Sequence, residues 1–115
     1  MKKIDSKEDL INYFNEGCKK EKNNGIGGEN EKFLFNKDNK RVDFKTISDI
    51  FNLLKDFDWK PIKENGHTVG LSKGEKSITI EPGNQIELSG EKLNTIHLSC
   101  KESYKYLNEL KIVCN

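Results

Sequence analysis

Hydrophobic and polar residues alternate through residues 77–90, on both sides of a Pro-Gly turn. This pattern is typical of two antiparallel strands that share one apolar and one polar face. A slip of one residue would turn every side chain of a strand to the other face, so we expect the loop that keeps the faces separate. That loop is Pro82-Gly83-Asn84, and it predicts four cross-strand pairs: Ile80 with Ile86, Ile78 with Leu88, Thr79 with Glu87, and Glu81 with Gln85.

A further strand is predicted over residues 26–35, where Glu29 and Glu31 lie two positions apart. At roughly 3.3 Å per residue, their carboxylates share one face and are about 6–7 Å apart. Like charges at that spacing repel each other unless water or a cation screens them. Carboxylates that converge from neighbouring strands are ligands that Mg²⁺ prefers. The alternative is a solvated face of an antiparallel sheet.

Three segments have the apolar spacing of amphipathic helices. The first covers residues 6–23, begins with a Ser6–Asp9 capping box, and has apolar residues at Leu10, Ile11, Phe14 and Cys18. Asp43 caps the second, whose apolar stripe consists of Phe44, Ile47, Ile50, Phe51, Leu54 and Phe57. The third runs from Thr95 to the end of the chain, with an apolar side formed by Ile96, Cys100, Leu107 and Leu110.

Two short extended segments, 59–63 and 68–73, flank an Asn65-Gly66 turn. Together with the hairpin and the strand at 26–35 they predict one antiparallel sheet whose apolar face is covered by the three helices. The predicted fold class is therefore α+β. The length of 115 residues allows one small unit, and its core is thin because 33% of the residues are hydrophobic and 34% are charged.

The charge pattern argues against several kinds of partner. The net charge is +1, from 20 basic and 19 acidic residues that are interspersed, and Arg41 is the single arginine. Nucleic-acid-binding proteins usually carry a basic patch and use Arg for base contacts, so we expect no nucleic-acid partner. No apolar run approaches the ~20 residues of a membrane span, and the N-terminus lacks the apolar core of a signal peptide. We therefore expect a cytosolic protein that does not interact with membranes.

The cysteines and histidines form no catalytic or zinc-binding pattern. Cys18, Cys100 and Cys114 are odd in number and have no Cys-x-x-Cys spacing, which predicts free thiols. His67 follows a turn, and His97 lies near the start of the last helix. Neither histidine is part of a Ser/His/Asp or metal-ligand pattern, so the sequence does not support hydrolase chemistry. No catalytic residue is predicted in this chain.

Two motifs resemble the plant and proteobacterial type of glutamate–cysteine ligase. Residues 26–33 read Ile-Gly-Gly-Glu-Asn-Glu-Lys-Phe, where the family typically has Ile-Gly-Thr-Glu-His-Glu-Lys-Phe. Residues 81–90 read Glu-Pro-Gly-Asn-Gln-Ile-Glu-Leu-Ser-Gly, where the family typically has Glu-Pro-Gly-Gly-Gln-hydrophobic-Glu-Leu-Ser-Gly. The departures are Gly28 for Thr, Asn30 for His and Asn84 for Gly. No carboxylate is lost. Because Asn30 stands between Glu29 and Glu31 in the sequence, we expect it to change the interaction between these two glutamates.

The resemblance implies a magnesium site on the acidic face of the sheet. The implied metal ligands are Glu29, Glu31 and Glu87, with Glu81 close by on the same face. Gln85 and Ser89 match positions on the glutamate side of the family's site. Family members use ATP to phosphorylate the side-chain carboxylate of glutamate. The amino group of cysteine then displaces the phosphate to form γ-glutamylcysteine, the first step of glutathione biosynthesis.

The resemblance also implies that residues 1–115 are the N-terminal portion of a larger, glutamine-synthetase-like catalytic domain whose C-terminal part is missing. The nucleotide and cysteine contacts would then lie beyond Asn115, so we expect the isolated chain to be inactive. Two alternatives remain open. One is a related ligase that joins glutamate to another amine, and the other is a non-catalytic fragment that binds a cation or a partner.

Overall fold

The computed structural model describes residues 3–18 and 24–115, so residues 19–23 of the first predicted helix lie outside the described residues. The helices are α1 (Lys7–Gly17), α2 (Phe44–Leu54) and α3 (Ile96–Cys114), and a 3-10 turn, Lys55–Phe57, follows α2. The strands are β1 (Glu29–Phe33), β2 (Lys60–Glu64), β3 (His67–Lys73), β4 (Lys76–Glu81) and β5 (Gln85–Ser89). They form one antiparallel sheet in the order β1-β5-β4-β3-β2, and the predicted α+β fold class is confirmed.

Each helix is preceded by a capping residue whose side chain accepts a hydrogen bond from a backbone N–H of the first turn. Such caps satisfy N–H groups that have no partner within the helix. The N–H groups of Asp9, Thr46 and Leu98 donate to Ser6, Asp43 and Thr95, at 3.0, 2.8 and 3.3 Å respectively. All three predicted helix starts are therefore confirmed. The hydrogen bonds from Thr46 also hold the pKa of the Asp43 carboxyl below its usual value.

The β4–β5 hairpin has the predicted register. Its four pairs are Ile80 with Ile86, Ile78 with Leu88, Thr79 with Glu87, and Glu81 with Gln85. Two residues of the turn, Gly83 (φ 79°) and Asn84 (φ 59°), adopt left-handed backbone conformations, which Gly and Asn tolerate best. The Asn65-Gly66 turn between β2 and β3 also has positive φ at both residues, as a tight two-residue hairpin requires.

The hydrophobic core lies between the apolar face of the sheet and the helices α2 and α3. The sheet contributes Leu71, Ile78, Ile86 and Leu88, each at most 1% exposed. The predicted stripe of α2 faces them, since Ile47, Ile50, Phe51 and Leu54 are all buried. Phe44 at the start of that stripe is 38% exposed, and Phe57 beyond its end is half-buried.

Two helices differ from the prediction. The apolar residues of α1 are exposed and none of its residues is buried, so α2 and α3 alone cover the described sheet. On α3, Ile96 and Cys100 are exposed, whereas Tyr106 and Glu109 are buried beside Leu110. The burial of Glu109 has a physical reason that apolar periodicity does not reveal, namely a hydrogen bond. The indole N–H of buried Trp59 donates to the Glu109 carboxylate at 2.8 Å, which turns a polar position of α3 towards the core.

We expect Trp59→Phe to destabilise the fold through this hydrogen bond. Glu109 is 6% exposed, so loss of the indole donor leaves its carboxylate without that partner in the core. A buried acceptor without its donor costs about 1–3 kcal/mol. Urea unfolding measures the change in the free energy of unfolding, and the same substitution made in a Glu109→Leu background is the control. The penalty should shrink there, and an equal penalty in both backgrounds would assign the effect to packing alone.

Candidate functional site

Three glutamates from three strands converge on the polar face of the sheet. One side-chain oxygen from each of Glu31, Glu81 and Glu87 lies within 4.8 Å of those of the other two. We call these residues the carboxylate cluster. Glu31 is exposed, and the other two are half-buried. The predicted placement of β1 beside the hairpin in one antiparallel sheet, with Glu29 and Glu31 on the polar face, is therefore confirmed.

The strand pairings explain how the cluster forms. Glu31 on β1 is directly opposite Glu87 on β5, and Glu87 is directly opposite Thr79 on β4. Side chains alternate along a strand, so Glu81 follows Thr79 on the same face. Like charges directly opposite each other on neighbouring strands are destabilising. The sequence thus places three carboxylates where the fold alone gains nothing from them.

Each carboxylate of the cluster accepts a hydrogen bond from a neighbouring polar side chain on the same face. An ionised carboxylate has about four lone-pair sites, so one such bond orients it and leaves acceptor capacity for a cation. The three bonds run from Gln85 Nε2 to Glu31 (3.1 Å), from Thr79 Oγ1 to Glu81 (2.9 Å) and from Ser89 Oγ to Glu87 (2.9 Å). Of these donors, Thr79 was missed by sequence reasoning. Its position two residues before Glu81 on the same strand could have indicated that the two side chains share a face.

Glu29 lies outside the carboxylate cluster. It is opposite Ser89 in the β1–β5 register and shares the polar face with Glu31, as the strand pattern predicts. Among the described residues, however, the compact group of three carboxylates contains Glu81 rather than Glu29. Gln85 and Ser89, predicted to contact substrate, lie on the same face and hydrogen-bond to the cluster.

The side chain of Asn30 does not lie between the carboxylates of Glu29 and Glu31, which corrects the expectation drawn from the motif. It is opposite Leu88 in the register, and Leu88 is 1% exposed on the apolar face of the sheet. Because neighbouring side chains of a strand point to opposite faces, Asn30 faces away from Glu29 and Glu31. In the described part of the chain its Oδ1 is buried and has no hydrogen-bond partner.

The glycine that ends the second motif is required by close packing. The N–H of Gly90 donates to the Gly28 carbonyl at 2.8 Å, so the end of β5 is tied to the start of β1. A Cβ added at Gly90 would lie 3.0 Å from that carbonyl and would also collide with the Glu102 carboxylate. Glu102 is held there by Lys76, at 3.4 Å, and by the N–H of Glu91. A side chain at position 90 would therefore disturb the strand that carries Glu87.

In the described part of the chain, the cysteines and histidines are not members of the carboxylate cluster. Cys18, Cys100 and Cys114 are free cysteines, and partial desolvation of the Cys114 thiol raises its pKa. The ring of His67 contacts the ring of Phe44 edge-on, at 6.0 Å between centroids. Within residues 3–18 and 24–115, no helix is long and apolar enough to cross a membrane.

The chain is similar to a segment of several plant enzymes. It is 44% identical over 110 residues to "Glutamate--cysteine ligase A, chloroplastic" of Oryza sativa subsp. japonica, a match that covers 94% of this chain and 22% of the relative. The chloroplastic glutamate–cysteine ligases of Solanum lycopersicum and Arabidopsis thaliana are 40% and 38% identical, again over 94% of this chain and 21% of each relative. The chain thus spans about a fifth of the length of the curated relatives it matches. No protein-family model matches it.

These matches confirm the predicted resemblance and correct one expectation. The resemblance drawn from the two motifs extends over 94% of the chain. The predicted cytosolic location is wrong, because the matched relatives are named as chloroplastic proteins. Composition and charge could not have revealed this, since the compartment of a protein is set by targeting segments rather than by the folded unit.

Proposed function

Because the chain is related over 94% of its length to a segment of plant glutamate–cysteine ligases, we propose that it forms the metal-binding part of such a ligase. The reaction is the ATP- and Mg²⁺-dependent joining of the glutamate γ-carboxylate to the amino group of cysteine. The observation that supports this most directly is the carboxylate cluster, whose members lie in the two motifs that carry the resemblance.

The cluster is chemically suited to Mg²⁺. All three ligands are carboxylate oxygens, the type that hard cations prefer, and they lie close enough together to share one ion. Bound Mg²⁺ would neutralise phosphoryl oxygens of ATP and of the glutamyl phosphate. Glu31, Glu81 and Glu87 would hold it, and Glu29, at the adjacent position of the same face, would contribute to a second ion or to its water shell.

The polar side chains beside the cluster would have a positioning role. Gln85 and Ser89 donate hydrogen bonds to the carboxylates of Glu31 and Glu87, which would orient them for a cation. Preorganised ligands lose less conformational entropy when a cation binds. The same two residues lie on the side of the site that we assign to the substrate glutamate.

The remaining contacts would come from parts of the ligase that lie outside the matched segment. The relatives are about five times as long as that segment, which is 22% of the rice protein. We propose that this sheet is one part of a larger, glutamine-synthetase-like catalytic domain. Adenine, the triphosphate and cysteine would be bound largely by the remainder of that domain, and the product would enter glutathione biosynthesis.

One alternative from the same class keeps the metal site but changes the amine. No described residue on the polar face is specific for the thiol of cysteine, so a related glutamate–amine ligase is the second candidate. A third candidate is a non-catalytic cation-binding module, in which the cluster binds a metal but supports no ligation.

The proposal is tested first by metal binding to the chain itself, with Mn²⁺ as a spectroscopic substitute for Mg²⁺. We expect Mn²⁺ to bind at the carboxylate cluster, with competition by Mg²⁺. Glu31→Gln, Glu81→Gln and Glu87→Gln should each weaken that binding at least about tenfold, because a neutral amide oxygen is a poorer ligand for a hard cation. Electron paramagnetic resonance of free Mn²⁺ measures the affinity.

Glu64→Gln is the matched control for this experiment. It removes the same charge from an exposed glutamate on β2, at the edge of the sheet opposite β1. We expect its Mn²⁺ affinity to equal that of the unsubstituted chain. Equal weakening by Glu64→Gln would indicate non-specific attraction to an acidic protein, and the absence of Mn²⁺ binding to the unsubstituted chain would contradict the metal site.

A further inference from the structure

The single arginine of the chain contacts the turn that joins two parts of the carboxylate cluster. The guanidinium of Arg41 donates to the carbonyl of Gly83. It also lies over the ring of Phe33, with Cζ 4.0 Å from the ring centroid. Phe33 shares the polar face of β1 with Glu31, so Arg41 lies at the end of the acidic face.

The backbone that carries Arg41 is itself held in place. The Asn36 side chain accepts from the N–H groups of Asp38 and Lys40, at 3.0 and 2.9 Å. The chain then returns antiparallel to its own start, where Phe35 and Arg41 form a bridge. Arg41 therefore extends from a hydrogen-bonded loop, and its contact with Gly83 ties the turn to that loop.

The turn contacted by Arg41 joins two residues of the site, Glu81 and Gln85. Residues 82–84 link Glu81, a cluster carboxylate, to Gln85, which donates to the Glu31 carboxylate. A second contact supports the same arrangement, since Asn84 Nδ2 donates to the Val42 carbonyl at 3.5 Å. Movement of the turn would displace one ligand of the cluster and release the hydrogen bond that orients another.

The glycine at position 83 fits this contact. Gly83 has φ of 79°, and a Cβ added there would lie 2.9 Å from Arg41 Nη2. A side chain at this position would both strain the backbone and push the guanidinium away.

We propose that Arg41 is a positioning residue for the carboxylate cluster. Its contacts with Gly83 and Phe33 hold the 82–84 turn against the end of β1. This inference rests on the proposed metal-binding function. It predicts that removal of Arg41 weakens metal binding, whereas the loss of its charge alone would strengthen that binding. A cation beside three carboxylates repels a divalent cation, so its removal should tighten metal binding if charge were its only effect.

The test compares Arg41→Gln, which removes the charge, with Arg41→Lys, which keeps the charge but lacks the planar group that stacks on Phe33. If Arg41 positions the cluster, both variants should weaken Mn²⁺ binding, by about tenfold as for other residues that orient metal ligands. Lys40→Gln removes a charge from the neighbouring exposed residue and should leave the affinity unchanged. Tighter binding by Arg41→Gln with unchanged binding by Arg41→Lys would overturn the proposal.

A second measurement needs no metal and separates this inference from the proposed function. In ¹⁵N NMR relaxation the side-chain amide of Gln85 should be ordered in the unsubstituted chain, because it is bonded to Glu31. Its order parameter should fall in both Arg41 variants and stay unchanged in Lys40→Gln. If the unsubstituted chain binds no Mn²⁺, the metal site is contradicted. If the Gln85 order parameter is unchanged in the Arg41 variants, the positioning role of Arg41 is contradicted.

Discussion

Glu87→Gln is expected to lower ligase turnover by at least about 100-fold in a chimera in which this chain replaces the homologous segment of the rice ligase. Glu87 is the central member of the carboxylate cluster, since it is directly opposite Glu31 on one side and Thr79 on the other. The substitution preserves shape and removes the charge that a hard cation requires. Raised Mg²⁺ should restore part of the activity, because the defect is one of metal affinity.

The stability of the fold should respond in the opposite direction. Without metal, Glu87 repels Glu31 across the strand pair, and relief of such a like-charge pair is worth about 0.2–1 kcal/mol. Glu87→Gln should therefore unfold at equal or higher urea concentration when Mg²⁺ is absent. A large loss of activity together with retained stability is the combination that separates a functional carboxylate from a structural one.

The control is Glu64→Gln in the same chimera, which should leave turnover within about twofold of the unsubstituted chimera because surface substitutions have small effects. The isolated chain should form no γ-glutamylcysteine. Unchanged kinetics in Glu87→Gln would contradict the metal assignment. An inactive but folded unsubstituted chimera would contradict the proposed ligase function, and an active isolated chain would show that the contacts assigned to the remainder are already present.

The acidic face could be predicted from the sequence because it depends on local rules. Alternation along Glu29–Phe33 and across the hairpin determines which side chains share a face, and one register alone keeps Ile86 and Leu88 apart from Glu87. The motif resemblance then implied that a metal binds on this acidic face of the sheet. None of these steps requires knowledge of how distant segments meet.

The features that sequence reasoning missed depend on contacts between distant segments. Glu109 is buried because it accepts from Trp59, fifty positions earlier in the chain. Arg41 reaches Gly83 forty-two positions later, and no spacing along the chain signals that pair. For α1 the apolar pattern was read correctly as a helix, but periodicity does not specify which surface a helix packs against.

Two adjacent leucines test whether the core is where the structure has it. Leu54→Ala should destabilise the fold by about 2–5 kcal/mol, because Leu54 is 0% exposed and its truncation removes packed volume from the layer between α2 and the sheet. Native proteins have a total stability of about 5–15 kcal/mol, so a loss of this size is a large share of the whole. Urea unfolding followed by the signal of buried Trp59 measures it.

Leu53→Ala is the matched control, since it makes the same chemical change at the next residue of the same helix. Leu53 is 49% exposed, so its truncation should change the free energy of unfolding by no more than about 0.5 kcal/mol. Equal losses for the two variants would mean that α2 packs on the sheet with another face. The carboxylate cluster would then lose its support, because the strands that carry Glu81 and Glu87 are held in register by the apolar pairs on the face that Leu54 helps to cover.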